Sequence, residues 1–159
     1  MASSETILDS RTDERTLLFR VGERVFGCDI DAVREIIPYR RATRLPGAPK
    51  SVQGLINLRG TIVTVLDVGS RLDAERPPVR DGSIILVDHG TRVVGVAVDE
   101  VMDVRLITEE PIASSTGAGA LAGAGGDDAP RGLVRGLGHL DDSVVVLMDI
   151  QALVTQVLL

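Results

Sequence analysis

The sequence is poor in aromatic residues and in cysteine. Its 159 residues include only three aromatic side chains, Phe19, Phe26 and Tyr39, and no tryptophan. Proteins that bind single-stranded nucleic acid need aromatic stacking platforms, and the net charge of −6 repels a phosphate backbone, so no nucleic-acid partner is expected. The one cysteine, Cys28, can form neither an intramolecular disulfide nor a thiolate metal cage, which favours a reducing, cytoplasmic compartment.

Long apolar runs are missing too. No run approaches the roughly 20 residues that span a bilayer, so direct membrane insertion is not expected. Residues 1–14 are polar and acidic, and they predict a disordered tail rather than a secretory signal. The remaining composition, with 44% hydrophobic and 25% charged residues, is typical of a globular domain.

Motifs for catalysis and metal binding are also lacking. The two histidines, His89 and His139, have no metal-ligand spacing, and Cys28 lies in an apolar run without a neighbouring histidine. The sequence has neither a G-x-S-x-G elbow nor a phosphate-binding loop. We therefore predict no catalytic residue, no metal and no cofactor. The absence of these motifs is only weak evidence against any one type of reaction. A small ligand-binding or enzymatic barrel therefore stays open as an alternative.

The sequence does contain many short runs rich in Val, Ile and Leu, bounded by Gly, Asp or Pro. This pattern predicts strands joined by tight turns, and hence an all-β barrel or sandwich. Short helices are predicted at 30–33, 47–51, 68–73 and 99–101, with a C-terminal helix over 150–157. The predicted strands cover residues 16–21, 24–29, 34–37, 52–57, 61–67, 83–88, 92–98, 102–107, 133–138 and 143–149.

The chain carries an internal duplication. Residues 18–36 align without gaps on residues 86–104, with seven of 19 positions identical. Residues 54–72 align on residues 136–154, with five of 19 identical. Two ungapped matches in the same order indicate two copies of one ancestral unit rather than a chance likeness of apolar residues.

The duplication predicts two similar β units, over about 15–80 and 81–159, each with roughly five strands. Units of this size have thin cores, so we expect them to pack against each other or to exchange strands within one domain. The Gly/Ala-rich segment 114–129 separates the two matches in the second half. It is predicted to be a mobile loop.

The halves differ most at Asn57-Leu58-Arg59-Gly60, because the counterpart of Arg59 in the second half is Asp141. Shared positions of a duplicated protein mostly specify the fold, so a charge inversion at one equivalent place points to function. Arg59 is expected to project from a strand end, exposed and either unpaired or only loosely paired. Its planar guanidinium would suit bidentate pairing with a partner's carboxylate.

The stretch VQGLINLRGTIVTVLD, residues 52–67, resembles the core signature of CheW-type domains. The segments FRVGERVFGCDIDAVREII, GTRVVGVAVDEVMDV and VRGLGHLDDSVVVLMDIQAL fit the same family, so the resemblance covers residues 15–159. One departure is Thr64, which stands where the family pattern has proline. The resemblance implies two intertwined five-stranded SH3-like barrels related by pseudo-twofold symmetry.

The resemblance also implies a function. Proteins of this family are adaptors that bind the regulatory domain of a CheA-type histidine kinase and the cytoplasmic tip of methyl-accepting chemoreceptors. The chain is then expected to be non-enzymatic, cytoplasmic, recruited to the inner membrane through receptors, and a monomer in isolation. Because the sequence carries no receiver or kinase module, we expect a stand-alone adaptor. The same kind of adaptor in another kinase pathway, such as surface motility, is an alternative.

A partner-binding site is implied as well. Arg59 matches the family's interface arginine, and the V-x-E-I segment that contains Glu35 resembles the edge that faces receptor and kinase. Val33 and Ile36 are expected to leave apolar surface beside Glu35; the alternative is that both belong to the core. The predicted partner-binding residues are Arg59, Glu35, Val33, Ile36, Asn57, Leu58 and Gly60.

Overall fold

A computed structural model of the chain describes residues 13–69, 81–111 and 133–158. Each of the ten predicted strands is confirmed, and so is the C-terminal helix. The elements are β1 (Asp13–Val21), β2 (Arg24–Asp29), the 3-10 helix η1 (Ile30–Ala32), β3 (Glu35–Pro38), β4 (Val52–Leu58), β5 (Thr61–Asp67), β6 (Ser83–His89), β7 (Arg92–Val98), β8 (Glu100–Pro111), β9 (Val134–Leu140), β10 (Ser143–Met148) and α1 (Ile150–Leu158).

The strands form two five-stranded sheets, and each sheet takes strands from both halves of the chain. Sheet A is a closed barrel with the strand order β1-β2-β10-β9-β8, and sheet B has the order β3-β6-β7-β5-β4. The two ends of sheet B meet at an isolated bridge between Thr43, in the loop after β3, and Leu55 of β4. The predicted intertwined, all-β architecture is therefore confirmed.

The strand pairings repeat at the duplicated positions. In sheet B the parallel strands β5 and β7 align Val65 with Gly95, and in sheet A the parallel strands β10 and β2 align Leu147 with Gly27. These residues are counterparts in the sequence alignment. An irregularity interrupts β4 against β5 and β9 against β10 at equivalent places. The two sheets are thus copies of one pattern, each completed by strands from the other half.

The turns repeat as well. Gly22 and Gly90 both have a φ of 63°, a left-handed conformation that glycine adopts without strain. Arg59 and Asp141 occupy equivalent hairpin turns at φ values of 50° and 53°. Among the residues that the structure describes, no other non-glycine residue has a positive φ. A shared uncommon conformation at aligned positions is strong structural support for the duplication.

The largest hydrophobic cluster draws buried side chains from both sheets and from α1. Phe19 and Phe26 stack there with ring centroids 6.0 Å apart, and Cys28 is buried in the same cluster, as predicted. Smaller clusters belong to sheet B and sheet A separately. Because the main core is shared, neither sheet carries its own full complement of buried apolar surface.

Two of the predicted short helices are wrong. Glu100 starts β8, so only Asp99 separates β7 in sheet B from β8 in sheet A, and the Asp99 amide donates to the Arg20 carbonyl at 3.0 Å. The chain crosses directly between the sheets there, which leaves no room for a helical turn at 99–101. Residues 47–51 contain turns instead of a helix. Strand β1 begins two residues inside the predicted tail; the rest of that tail, the predicted loop at 114–129 and most of the predicted helix at 68–73 lie outside the described residues.

Candidate functional site

The Asn57-Leu58-Arg59-Gly60 motif forms the turn between β4 and β5. Leu58 pairs with Thr61, so Arg59 and Gly60 make a two-residue loop. Their φ values of 50° and 87° fit a type I′ turn, whose twist matches that of the flanking strands. The Asn57 side-chain oxygen accepts a hydrogen bond from the Gly60 amide at 2.9 Å. The motif therefore folds the hairpin and fixes the position from which Arg59 projects.

Arg59 reaches from this turn to β3. Its Nη1 donates to Glu35 Oε1 at 3.1 Å, and its Nη2 donates to Glu35 Oε2, so the pair is bidentate. The Arg59 side chain is 66% exposed and that of Glu35 is 35% exposed. The prediction that Arg59 is exposed is confirmed. Of the two alternatives for its pairing, the unpaired one is wrong, because Arg59 forms a solvent-exposed ion pair with Glu35. Sequence reasoning missed the pair because the two residues are 24 positions apart and meet only through the curvature of sheet B.

The ion pair keeps both groups charged. The hydrogen bond from Arg59 is the main cause that lowers the pKa of Glu35, and the charges of Arg59 and Arg34 act in the same direction. The same bond raises the pKa of Arg59. A lowered carboxyl pKa stabilises the fold above the unfolded-state pKa, and this contribution is lost as the pH falls through the folded-state value. The pair is therefore intact at neutral pH, although solvent screens it.

Exposed apolar surface lies on the same short strand as Glu35. Ile36 is exposed beside Glu35, as predicted, whereas Val33 is half-buried and packs against the core between the sheets. Leu58 is buried with Ile56, because alternation along β4 points both side chains into sheet B. Leu58 thus belongs to the core of sheet B, and Ile36 leaves exposed apolar surface on the face of β3 opposite to Glu35.

The loop at 39–51 adds positive charge at the same place. Arg40 Nη1 donates to the Asn57 carbonyl at 2.9 Å, which holds this loop against the β4–β5 turn. No acidic residue occurs anywhere in 36–66. Three further cations are exposed on the loop: Arg41, Arg44 and Lys50. The site is consequently a basic surface on an acidic protein.

The equivalent place in sheet A carries the opposite charge. Asp141 and Asp142 occupy the turn between β9 and β10. The counterpart of Glu35 is Asp103, whose carboxylate pairs with Arg105 of its own strand at 3.2 Å. In the described part of the chain, an ion pair that joins this turn to the neighbouring strand is therefore found in sheet B and not in sheet A.

The groups set aside as catalytic candidates lie on three different strands. His89 ends β6, with its Nε2 3.3 Å from the Thr155 hydroxyl of α1, and His139 lies exposed on β9. Burial is the main cause that raises the pKa of Cys28 to about 12, which keeps the thiol neutral and unreactive. Within the described ranges no three His, Cys, Asp or Glu side chains come together as metal ligands. None of the helices described there has the length and apolar character to cross a membrane.

Two interlocked five-stranded sheets with an exposed charged turn define a β-barrel interaction module. The chain belongs to the CheW-like domain family, whose profile matches residues 15–158. The chemotaxis protein CheW of Klebsiella aerogenes is 30% identical over 157 residues, which is 98% of this chain and 90% of that protein. The chemotaxis protein CheW of Rhizobium meliloti is 33% identical over 138 residues, or 86% of this chain and 84% of that protein.

A solved structure agrees with this assignment. The scaffolding protein TtCheW from Thermoanaerobacter tengcongensis matches with a TM-score of 0.68 and 26% sequence identity. The match covers 86% of this chain and 89% of that chain. The predicted family and its adaptor class are thereby confirmed.

Proposed function

We propose that this protein couples transmembrane chemoreceptors to a CheA-type histidine kinase by binding both, without catalysing a reaction. The observation that carries the proposal is the exposed ion pair between Glu35 of β3 and Arg59, which projects from a turn held by the hydrogen bond between Asn57 and Gly60. Membership of the CheW-like family supports the identity of the two partners. In this role the protein is cytoplasmic and reaches the inner membrane through the receptors.

The ion pair suits a binding surface because it can exchange partners. An exposed pair contributes little to folding, so opening it costs the protein little stability. Arg59 can then donate two hydrogen bonds to a carboxylate of the kinase regulatory domain. Ile36 offers a separate exposed apolar contact on the opposite face of β3. The exposed cations on the loop at 39–51 would steer an acidic partner surface towards the same side of the protein.

The rest of the molecule acts as a rigid spacer. The two sheets share one core, so a partner bound on sheet B is held in a fixed position relative to a second partner elsewhere on the protein. A receptor and a kinase domain held in this way can influence each other, because the state of one biases the conformational equilibrium of the other. Mutual positioning is therefore the mechanism that we infer.

Pull-down of kinase and receptor with wild type and Arg59→Glu tests the proposal. The substitution should leave the melting temperature nearly unchanged, since exposed substitutions rarely alter stability. Binding should weaken roughly tenfold to a hundredfold, because a charge-assisted hydrogen bond is lost and a repulsive charge is added. Unchanged binding to both partners would remove Arg59 from the interface.

Two control variants make the test specific. Asp141→Arg alters charge at the equivalent turn of sheet A, where the backbone φ is 53°, and it should leave the Arg59-dependent partner bound. The reversed pair Glu35→Arg with Arg59→Glu restores the ion pair within the chain but not the contact with a partner. Recovery of binding in this double variant would show that the pair only shapes the turn.

A further inference from the structure

Strand β8 leaves one of its edges open. On one side, β8 pairs with β1 along residues 100–108, whereas on the other side β9 pairs with it only at residues 109–111. In the part of the chain that the structure describes, no strand covers the second side of residues 100–108. An open edge presents unpaired backbone groups, and these form a template for a strand from another chain.

Three apolar side chains follow this open edge. Val104 and Leu106 lie opposite Leu17 and Arg15 of β1, so they share one face of the strand, and Met102 is the extra residue at a bulge beside them. Their residues are 45%, 39% and 66% exposed. Single exposed apolar residues are common on soluble proteins, but three within five positions along an open strand edge mark an interaction surface.

The alternate residues carry charges that are paired only locally. Arg105 Nε donates to Asp103 Oδ2 at 3.2 Å, and the Val104 amide donates to Asp103 Oδ1 at 2.8 Å. This amide therefore faces the open edge instead of the β1 ladder. The Asp103 and Arg105 side chains are 60% and 51% exposed, so each can leave its local partner at little cost.

We propose that β8 pairs with β8 of a second copy of this chain, antiparallel, about a twofold axis at Val104. In this register Met102 lies opposite Leu106 of the second copy, and Asp103 lies opposite Arg105 of the second copy. Val104 meets its own counterpart. Apolar side chains thus meet apolar ones and acid meets base, and symmetry repeats each pair.

The equivalent edge of sheet B does not offer this self-complementarity. Strand β3 has only four residues, Glu35–Pro38, and it ends at a proline, which lacks an amide donor. The carboxylate of Glu35 on β3 is paired with Arg59 of the β4–β5 turn. The open β8 edge is therefore a property of the second half, and it revises the expectation of a monomer: contact through one short strand is weak and appears only at high protein concentration.

Sedimentation over a concentration series tests the inference with exposed charge variants. Wild type should rise in average mass from one chain towards two. Asp103→Arg places arginines opposite each other, and Arg105→Asp places acids opposite each other, so each should weaken self-association about tenfold. The double variant Asp103→Arg with Arg105→Asp restores both pairs and should associate like wild type.

A mixture of the two single variants gives the sharpest result. Each variant alone repels its own copy, but together they present opposite charges at both positions, so the mixture should form heterodimers. Arg92→Asp, on the exposed start of β7, serves as a charge control that leaves association unchanged. Circular dichroism melts confirm that every variant is folded. A monomer at all concentrations, or single variants that associate as well as wild type, would overturn the proposal.

Discussion

Replacing Gly54 by alanine should open the contact that joins the two ends of sheet B. Gly54 has a φ of 147°, and a Cβ atom built on it would lie 2.1 Å from the carbonyl oxygen of Thr43. The obstacle is backbone, which cannot rotate away as the end of a flexible side chain would. Alanine therefore forces either the loop at 39–51 to withdraw or β4 to bend.

The expected loss in the free energy of unfolding follows from the contacts around Gly54. Thr43 and Leu55 exchange two backbone hydrogen bonds, at 2.7 and 2.8 Å. Each such bond contributes about 0.5–1.5 kcal/mol net. A non-glycine residue in a sparsely populated backbone region adds about 1–3 kcal/mol. We expect Gly54→Ala to lower the free energy of unfolding by about 2–6 kcal/mol.

Guanidinium unfolding followed by circular dichroism measures this loss, and Gly47→Ala is the matched control. Gly47 has a φ of 81°, but nothing lies within 4 Å of its added Cβ, so only the backbone conformation is penalised. That penalty is about 1–2 kcal/mol. A loss for Gly54→Ala no larger than that for Gly47→Ala would refute the argument that the bridge at Thr43 secures sheet B.

Two further predictions concern a buried thiol and a helix cap. Burial, assisted by the charge of Asp29, raises the pKa of Cys28 to about 12, so the folded protein should resist alkylation at mildly alkaline pH. Stability should also fall as the pH rises above the thiol's ordinary value, because the unfolded chain loses this proton first; Cys28→Ala should remove that part of the slope. Asp149 caps α1 by accepting the Ala152 amide at 3.0 Å, so Asp149→Ala should lower the urea-unfolding free energy by about 1 kcal/mol, and Asp149→Asn by less. Equal losses for the two Asp149 variants would contradict capping.

Strand positions could be predicted because their signal is local. Short runs of Val, Ile and Leu between turn residues specify strands wherever the chain is half-buried. Gly22 and Gly90 mark two of the tight turns, and both adopt the left-handed conformation that such turns require. The duplication then related the strands of one half to those of the other, which is why the observed pairings repeat at aligned residues.

Strand pairing across the sheets could not be predicted in the same way. The sequence of residues 92–111 does not indicate that β7 belongs to sheet B and β8 to sheet A, because both strands are apolar runs. The crossing at Asp99 is decided by its hydrogen bond to Arg20, 79 residues away along the chain. The short helix predicted at 99–101 is absent because pairing with β1 makes Glu100 the start of β8.

The candidate site could likewise be predicted only in part from the sequence. The sequence motif identified the residues of the site but did not indicate which of their side chains face outward. Alternation along β4 buries Leu58, and the interlocked core covers half of Val33, so the exposed part of the site is smaller than the motif. The pairing of Arg59 with Glu35 depends on the curvature of sheet B, and no linear pattern specifies curvature.

A comparison of the two equivalent turns supports the proposal that Arg59 serves binding rather than folding. Arg59 and Asp141 share one left-handed conformation, so the hairpin demands the conformation whatever the charge. Aspartate reaches this region more readily than most residues, and glycine or asparagine would satisfy the turn best. Arginine has no such preference for the left-handed conformation, and its exposed ion pair with Glu35 adds little to the stability of the fold. An arginine that is unfavourable in the turn and adds little stability is expected where its side chain binds a partner. Arg59→Gly should therefore leave the protein at least as stable and should weaken partner binding.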